Sequence, residues 1–195
     1  MSGSDLEKLF DIPEIFYFSK TNSPFENCLI CNKNLAKPHT AYSVIKSFRY
    51  YKEFDKKDVT YEIALCSKCQ DMLTESYSEE SMERLDKYWA NNFDYSYRCS
   101  LFDEENYNLE DWIAKCACKG KHWKETKAFN IYGNFISTSI KFDGTFPYML
   151  SDEVMEDFLF LLSNDTIDSL IKLFDIYTGF PPEYRSIFSK RLIKK

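Results

Sequence analysis

Histidine and glycine are scarce in this sequence, with two His and five Gly among 195 residues. The glycines form no phosphate-binding loop, and neither His39 nor His122 belongs to a His-Glu-x-x-His motif or to a paired-histidine nuclease site. The Gly-x-Ser-x-Gly pattern of hydrolases and the His-x-Glu with Pro-Cys-x-x-Cys pattern of deaminases are also missing. These absences remove the sequence support for the common enzyme classes and favour a protein without enzymatic activity.

Long apolar runs are absent as well. No segment approaches the roughly 20 apolar residues that a membrane-spanning helix needs. The first residues also lack the succession of basic, then apolar, then small side chains that marks a signal peptide. Without an export signal, the seven cysteines are expected to be reduced thiols or metal ligands rather than disulfides. We therefore expect a cytoplasmic protein that makes no membrane contact.

Basic charge is lacking in the middle of the chain. Residues 71–115 carry 12 acidic and 4 basic side chains, and the whole chain has a net charge of −6. Such a balance gives no general attraction to nucleic acid or to anionic lipid. The acidic runs at residues 79–83 and 103–105 are interpreted as solvated surfaces, and they favour a basic partner protein.

The strongest chemical signal is a set of two Cys-x-x-Cys pairs. Cys28 and Cys31 form the first pair, and Cys66 and Cys69 form the second after 34 intervening residues. Two residues between thiolates allow both sulfurs to reach one ion, and a second pair completes a tetrahedral site. A closed four-thiolate site leaves no position for water or substrate, so we predict one structural Zn²⁺ bound by these four cysteines.

The segments FENCLICNKNL and ALCSKCQDM, with a predicted hairpin between them, resemble the four-cysteine site of treble-clef and zinc-ribbon proteins. They also resemble a group of uncharacterised bacterial proteins in which such a site precedes an α+β region. The resemblance covers residues 25–72 and implies zinc binding. It implies no single activity, because treble clefs serve nucleases, ribosomal proteins and protein-binding modules alike.

Two alternatives remain open. Cys116, Cys118 and His122, with Cys99 as a fourth donor, are dense enough to suggest a thiol, redox or metal-dependent enzyme, although the one-residue gap makes a second zinc unexpected. The hairpin at residues 46–57 mixes Phe48, Tyr50 and Tyr51 with cationic side chains, which suits contact with single-stranded nucleic acid. Packing of these rings in a core explains the same pattern.

The remaining pattern predicts an α+β fold, in which a zinc-stabilised hairpin and helix precede a second hairpin and C-terminal helices. Strands are expected at residues 41–51, 59–65, 128–132, 137–142 and 145–150. Helices are expected from Cys66, at 78–92, 152–162 and 165–177, and after Pro181. A helical turn at 5–10, an edge strand at 15–18 and an irregular acidic stretch at 94–111 complete the prediction. We expect a zinc-binding subdomain at residues 1–92 and an α+β subdomain at residues 95–195, packed as one unit without an internal repeat.

Overall fold

A computed structural model describes residues 7–177, so the helix expected after Pro181 lies outside the described residues. The described part has an α+β fold with six strands and six α-helices. The strands are β1 Lys8–Asp11, β2 Ala41–Tyr51, β3 Lys56–Cys66, β4 Ala128–Ile136, β5 Ser139–Phe142 and β6 Tyr148–Ser151. The helices are α1 Ser67–Glu75, α2 Glu79–Asn92, α3 Tyr95–Asp103, α4 Leu109–Ile113, α5 Asp152–Leu161 and α6 Asn164–Tyr177.

All six strands belong to one antiparallel sheet with the order β1-β5-β4-β2-β3, and β6 pairs with β4 next to β5. The central pairing joins β2 to β4 along nine residues of each strand, from Ala41 opposite Ile136 to Arg49 opposite Ala128. Strands from both predicted subdomains therefore share one sheet. The division of the chain near residues 92–95 stays a prediction.

Aromatic pairs fix the register of the two central strands. The rings of Tyr42 and Phe135 stack with their centroids 5.1 Å apart, and those of Phe48 and Phe129 stack at 5.0 Å. All four side chains are buried. Cross-strand aromatic pairs of this kind stabilise a sheet beyond the area that they bury, so a slip of either strand by one residue would separate both pairs.

The N-terminal predictions were wrong. Lys8–Asp11 is strand β1, which pairs with β5, and not part of a helical turn. Residues 14–16 form a short 3₁₀ turn where an edge strand was expected, and the Phe16 ring packs edge-on against Phe135 with centroids 5.3 Å apart. Burial of the Phe16 ring against the sheet outweighs the extended preference of this apolar run.

The acidic stretch at residues 94–111 is also more regular than expected, because α3 and α4 lie within it. The Asp94 side chain caps α3 by accepting a hydrogen bond from the Tyr97 N–H at 3.0 Å, and Asn108 caps α4. The missed signal was this pair of capping residues. Of the described helices, none is long and apolar enough to cross a membrane.

A buried arginine holds α3 in place. Arg98 is only 2% exposed, and its guanidinium donates hydrogen bonds to the backbone carbonyls of Thr145, Trp112 and Pro147. The same group lies 4.9 Å from the centre of the Trp112 ring. Burial lowers the pKa of Arg98 to about 10, which leaves the guanidinium charged at neutral pH. Arg98 thus joins α3 to α4 and to the segment before β6.

The other helices follow the prediction closely. Ser78 caps α2 by accepting a hydrogen bond from the Ser81 N–H at 3.2 Å, and α5 begins directly after Ser151. Helix α1 begins at Ser67, directly after Cys66, as expected for a helix that starts at the second cysteine pair.

Candidate metal centre

The structure brings Cys28, Cys31, Cys66 and Cys69 together, with their sulfur atoms all within 4.8 Å of one another. The Sγ atoms of Cys31 and Cys66 lie 3.6 Å apart. A tetrahedral ion with metal–sulfur bonds of about 2.3 Å separates its sulfurs by about 3.8 Å, whereas a disulfide bond is about 2.05 Å long. The spacing therefore fits four thiolates around a common centre, and all four cysteines are free of disulfides.

The first pair lies in a tight loop that we call the first cysteine loop (residues 26–35). The Cys28 N–H donates to the Lys33 carbonyl at 2.9 Å, and the Asn32 N–H donates to the Cys28 carbonyl at 2.9 Å. Asn32 has a φ of 56°, in the left-handed region that asparagine tolerates better than most residues. These contacts close the loop and direct both sulfurs toward the second pair.

The second pair lies where β3 ends and α1 begins. Cys66 is the last residue of β3 and the N-cap of α1, and Cys69 is in the first turn of that helix. The Leu29 N–H donates to the Ala64 carbonyl at 3.0 Å, which joins the first cysteine loop to β3. Because a helix N-terminus carries partial positive charge, it stabilises negative thiolates nearby.

Backbone N–H groups tune the Cys28 thiol. Burial acts to raise its pKa, but hydrogen bonds from the N–H groups of Cys31, Cys66 and Ile30 lower the pKa to about 7. The Cys66 N–H lies 3.4 Å from the Cys28 sulfur. These donors are backbone groups, which a pattern of side chains does not reveal.

Burial raises the pKa of the Cys66 and Cys69 thiols, and neighbouring thiols add to this effect at Cys69. A cation among the four sulfurs would reverse that preference, because a metal ion favours thiolate over thiol. Cys28, Cys66 and Cys69 are buried, whereas Cys31 is exposed. A site with four sulfur donors and this much burial is suited to holding an ion rather than to activating water.

The second candidate set does not form such a cluster. Cys116 is buried and Cys99 is exposed, while the His122 ring accepts a hydrogen bond from the Lys124 N–H at its Nδ1 atom, at 3.1 Å. Burial raises the pKa of Cys118 to about 12, which disfavours a reactive thiolate. Among residues 7–177, the four-cysteine cluster is the only group of three or more His, Cys, Asp or Glu side chains close enough to hold an ion.

In the hairpin at residues 46–57, the first cationic side chain, Lys46, and the first aromatic ring, Phe48, are both buried. Lys46 is 4% exposed, and its Nζ atom lies 3.1 Å from a carboxylate oxygen of Glu62. Phe48 is buried in its stack with Phe129, and the Lys57 Nζ atom lies 4.7 Å from the centre of the Trp123 ring. Lys46 and Phe48 therefore serve the core of the protein rather than an exposed stacking surface.

Comparison of the chain with family models, with curated proteins and with solved structures gives no match.

Proposed function

We propose that this protein is a non-enzymatic protein-interaction module stabilised by one structural zinc ion at Cys28, Cys31, Cys66 and Cys69. The observation that carries the proposal is the convergence of four sulfur atoms, from two distant parts of the chain, within 4.8 Å of one another. The order of cysteine loop, β2–β3 hairpin and α1 supports a treble-clef-like description of this region.

Zinc is the ion that best suits this donor set. Four soft thiolates in a tetrahedral arrangement are typical of zinc or of iron–sulfur chemistry, whereas magnesium and calcium prefer oxygen ligands. Zinc has no redox chemistry and no geometric preference from its d electrons, so it accepts the arrangement that four converging sulfurs offer. The ion would cross-link the first cysteine loop to the start of α1 and so stabilise the end of the β2–β3 hairpin.

The surface of α2 and the end of α3 supports an interaction with a basic partner. Glu79 and Glu83 are exposed on α2, and Asp103, Glu104 and Glu105 are exposed where α3 ends. Complementary charge across an interface speeds association and selects the partner. We propose that a basic protein binds these two surfaces.

The interaction is tested with the double variant Glu83→Lys/Asp103→Lys, which reverses one charge on each acidic surface. We expect the unchanged protein, used as bait in lysate, to recover one or more basic proteins, identified by mass spectrometry. Recovery by the variant should fall at least tenfold, because each of the two reversed charges replaces an attraction with a repulsion and a loss of about 1.4 kcal/mol of binding free energy lowers affinity tenfold. Recovery by the unchanged protein should also fall as salt rises.

The matched control is Glu14→Lys/Glu53→Lys, which makes the same change in net charge at two exposed positions outside both acidic surfaces. This control should recover the partner as the unchanged protein does. The proposal fails if the two double variants behave alike, or if the unchanged protein recovers no protein reproducibly.

A further inference from the structure

We propose that the chain contains an internal duplication and that the second copy contains a latent metal site. This second site has the fold of the first site but only one of its four ligands. The first unit (residues 26–92) contains a cysteine loop, strands β2 and β3, and helices α1 and α2. The second unit (residues 114–177) contains a cysteine loop, strands β4 and β6, and helices α5 and α6 in the same order. The strand β5 is an addition to the second unit.

The second cysteine loop (residues 114–123) repeats the hydrogen bonds of the first loop at equivalent positions. The Cys116 N–H donates to the Lys121 carbonyl at 2.8 Å, as Cys28 does to Lys33. The Gly120 N–H donates to the Cys116 carbonyl at 2.8 Å, as Asn32 does to Cys28. Both Gly120, at a φ of 67°, and Asn32 adopt the left-handed conformation.

The outer residues of the two loops also correspond. The Leu35 N–H donates to the Glu26 carbonyl at 2.8 Å, and the Trp123 N–H donates to the Ala114 carbonyl at 2.9 Å. Between them, the bridge from Asn27 to Asn34 is matched by a bridge from Lys115 to His122, and both bridges are antiparallel. The two loops therefore have the same length and the same hydrogen-bond pattern.

Each loop contacts its own strand and helix in the same way. The Ala117 N–H donates to the Met149 carbonyl at 2.8 Å, as Leu29 does to Ala64. The Ser151 N–H lies 3.3 Å from the Cys116 sulfur, as the Cys66 N–H does from the Cys28 sulfur. Cys66 and Ser151 are each the last residue of a strand and the N-cap of the following helix. The match thus extends from the loop to the helix.

The sheet relates the two units by a local twofold axis. Tyr42 lies opposite Cys66 in the first unit, and Phe129 lies opposite Ser151 in the second, so the two rings are equivalent. Across the β2–β4 pairing, the stacked pair Tyr42–Phe135 is related by the axis to the stacked pair Phe129–Phe48. Ile45 pairs with Tyr132 at the middle of this register.

The helices that follow meet at a second symmetric contact. Ser78, which precedes α2, and Ser163, which precedes α6, have their hydroxyl oxygens 2.8 Å apart. The Ser78 N–H donates to the Thr166 hydroxyl at 2.8 Å, and the Ser163 N–H donates to the Ser81 hydroxyl at 2.8 Å. Each unit therefore donates the same backbone hydrogen bond to the other unit. The twofold axis that relates the two units accordingly passes between Ser78 and Ser163 as well.

The equivalent positions show what the second site has lost. Cys28 corresponds to Cys116, whereas Lys119, Ser151 and Val154 stand at the positions of Cys31, Cys66 and Cys69. The Lys119 ammonium pairs with Asp157 on α5 at 3.0 Å, so an ion pair joins the loop to the helix where the first unit has four sulfurs. Val154 is buried in the same hydrophobic core as Cys116. Within the described residues, the buried Ser151 hydroxyl has no hydrogen-bond partner.

The test rebuilds the site with Lys119→Cys/Ser151→Cys/Val154→Cys, which with Cys116 supplies four thiols in the register of the first unit. We expect the variant to retain one more zinc ion per chain than the unchanged protein after dialysis against a weak chelator. Zinc is measured by elemental analysis and folding by circular dichroism. The inference rests on the proposed function only for the choice of zinc as the ion. The decisive quantity is the difference in zinc content between the triple variant and the unchanged protein.

The matched control is Lys119→Cys/Asp152→Cys/Glu153→Cys, which adds three thiols but leaves Ser151 and Val154, two of the four equivalent ligand positions, unchanged. This control should retain no additional tightly bound zinc. Equal zinc content in a folded triple variant and in the unchanged protein overturns the inference. An unchanged protein without zinc overturns the proposed function instead, whatever the variant binds.

Should the triple variant fail to fold, the double variant Lys119→Cys/Ser151→Cys leaves the buried Val154 intact and presents three thiols. It is titrated with Cd²⁺, which three thiolates bind readily. We expect one additional equivalent of Cd²⁺ with thiolate absorption in the near ultraviolet, and its loss when Cys116→Ala is added. A Cd²⁺ titration identical to that of the unchanged protein contradicts the duplication of the site.

Discussion

Cys66→Ser is expected to weaken zinc binding strongly and to unfold the sheet. Cys66 supplies one of four thiols, and its position joins β3 to α1. A structural zinc contributes about 10–16 kcal/mol of apparent binding free energy, whereas a whole domain is stable by only about 5–15 kcal/mol. Serine is itself a good N-cap, so the start of α1 should not suffer from the exchange. The measurement is zinc content together with thermal unfolding by circular dichroism.

The control for that prediction is Cys99→Ser. Cys99 is exposed and lies outside the cluster of four, so its variant should keep both the zinc and the unfolding temperature of the unchanged protein. If Cys66→Ser binds zinc and unfolds as the unchanged protein does, the four-thiolate site is not what stabilises the hairpin.

Arg98→Ala is expected to lower the free energy of unfolding by about 3–5 kcal/mol. The change removes three hydrogen bonds to backbone carbonyls and opens a cavity beside the Trp112 ring. A buried acceptor without a partner costs about 1–3 kcal/mol, and truncation of a large core side chain has a cost of similar size. For a chain of this length the unfolding temperature should fall by roughly 6–20 °C, as calorimetry would show.

Arg84→Ala is the matched control for Arg98→Ala. Arg84 is an exposed arginine on α2 that pairs with Glu80 one turn earlier, and exposed pairs of this kind contribute about 0.3–0.5 kcal/mol. The unfolding temperature of the Arg84→Ala variant should differ from that of the unchanged protein by no more than a few degrees. Equal and small effects of the two substitutions would show that Arg98 does not hold α3 in place.

The cluster of four cysteines was predictable because the ligand spacing constrains the chain more than any propensity does. Two residues between sulfurs and a hairpin between the pairs leave few ways to arrange the segment, so the prediction that Cys28, Cys31, Cys66 and Cys69 converge is confirmed. Strand β2 and helices α2, α5 and α6 were also close to their predicted bounds, because each has a clear apolar period or a capping residue at its start.

Contacts between distant residues that no sequence motif marks could not be predicted. Strand β1 is specified by its pairing with β5. In that pairing Asp11 lies opposite Ser139, which follows it by 128 residues in the sequence. Helix α3 depends on Arg98, whose partners lie at residues 112, 145 and 147. A charged residue in an acidic stretch predicts exposure, and only the fold shows that its guanidinium is surrounded by carbonyls and rings.

The duplication was hidden for a different reason. The two cysteine loops share a backbone conformation, which depends on one left-handed residue and on main-chain hydrogen bonds that many sequences can form. With asparagine in one loop and glycine in the other, and with three ligand positions changed, few residues remain to mark the repeat. The expectation of no internal repeat followed from side chains, whereas the evidence for a repeat comes from the backbone.

X-ray absorption at the zinc edge of the native protein tests the central claim most directly. It identifies the ion, counts the sulfur donors and measures their distances in one experiment. The four-cysteine site predicts zinc with four sulfur ligands at about 2.3 Å and no oxygen or nitrogen ligand. Native protein that contains no metal, or an ion bound by oxygen and nitrogen donors, would contradict it.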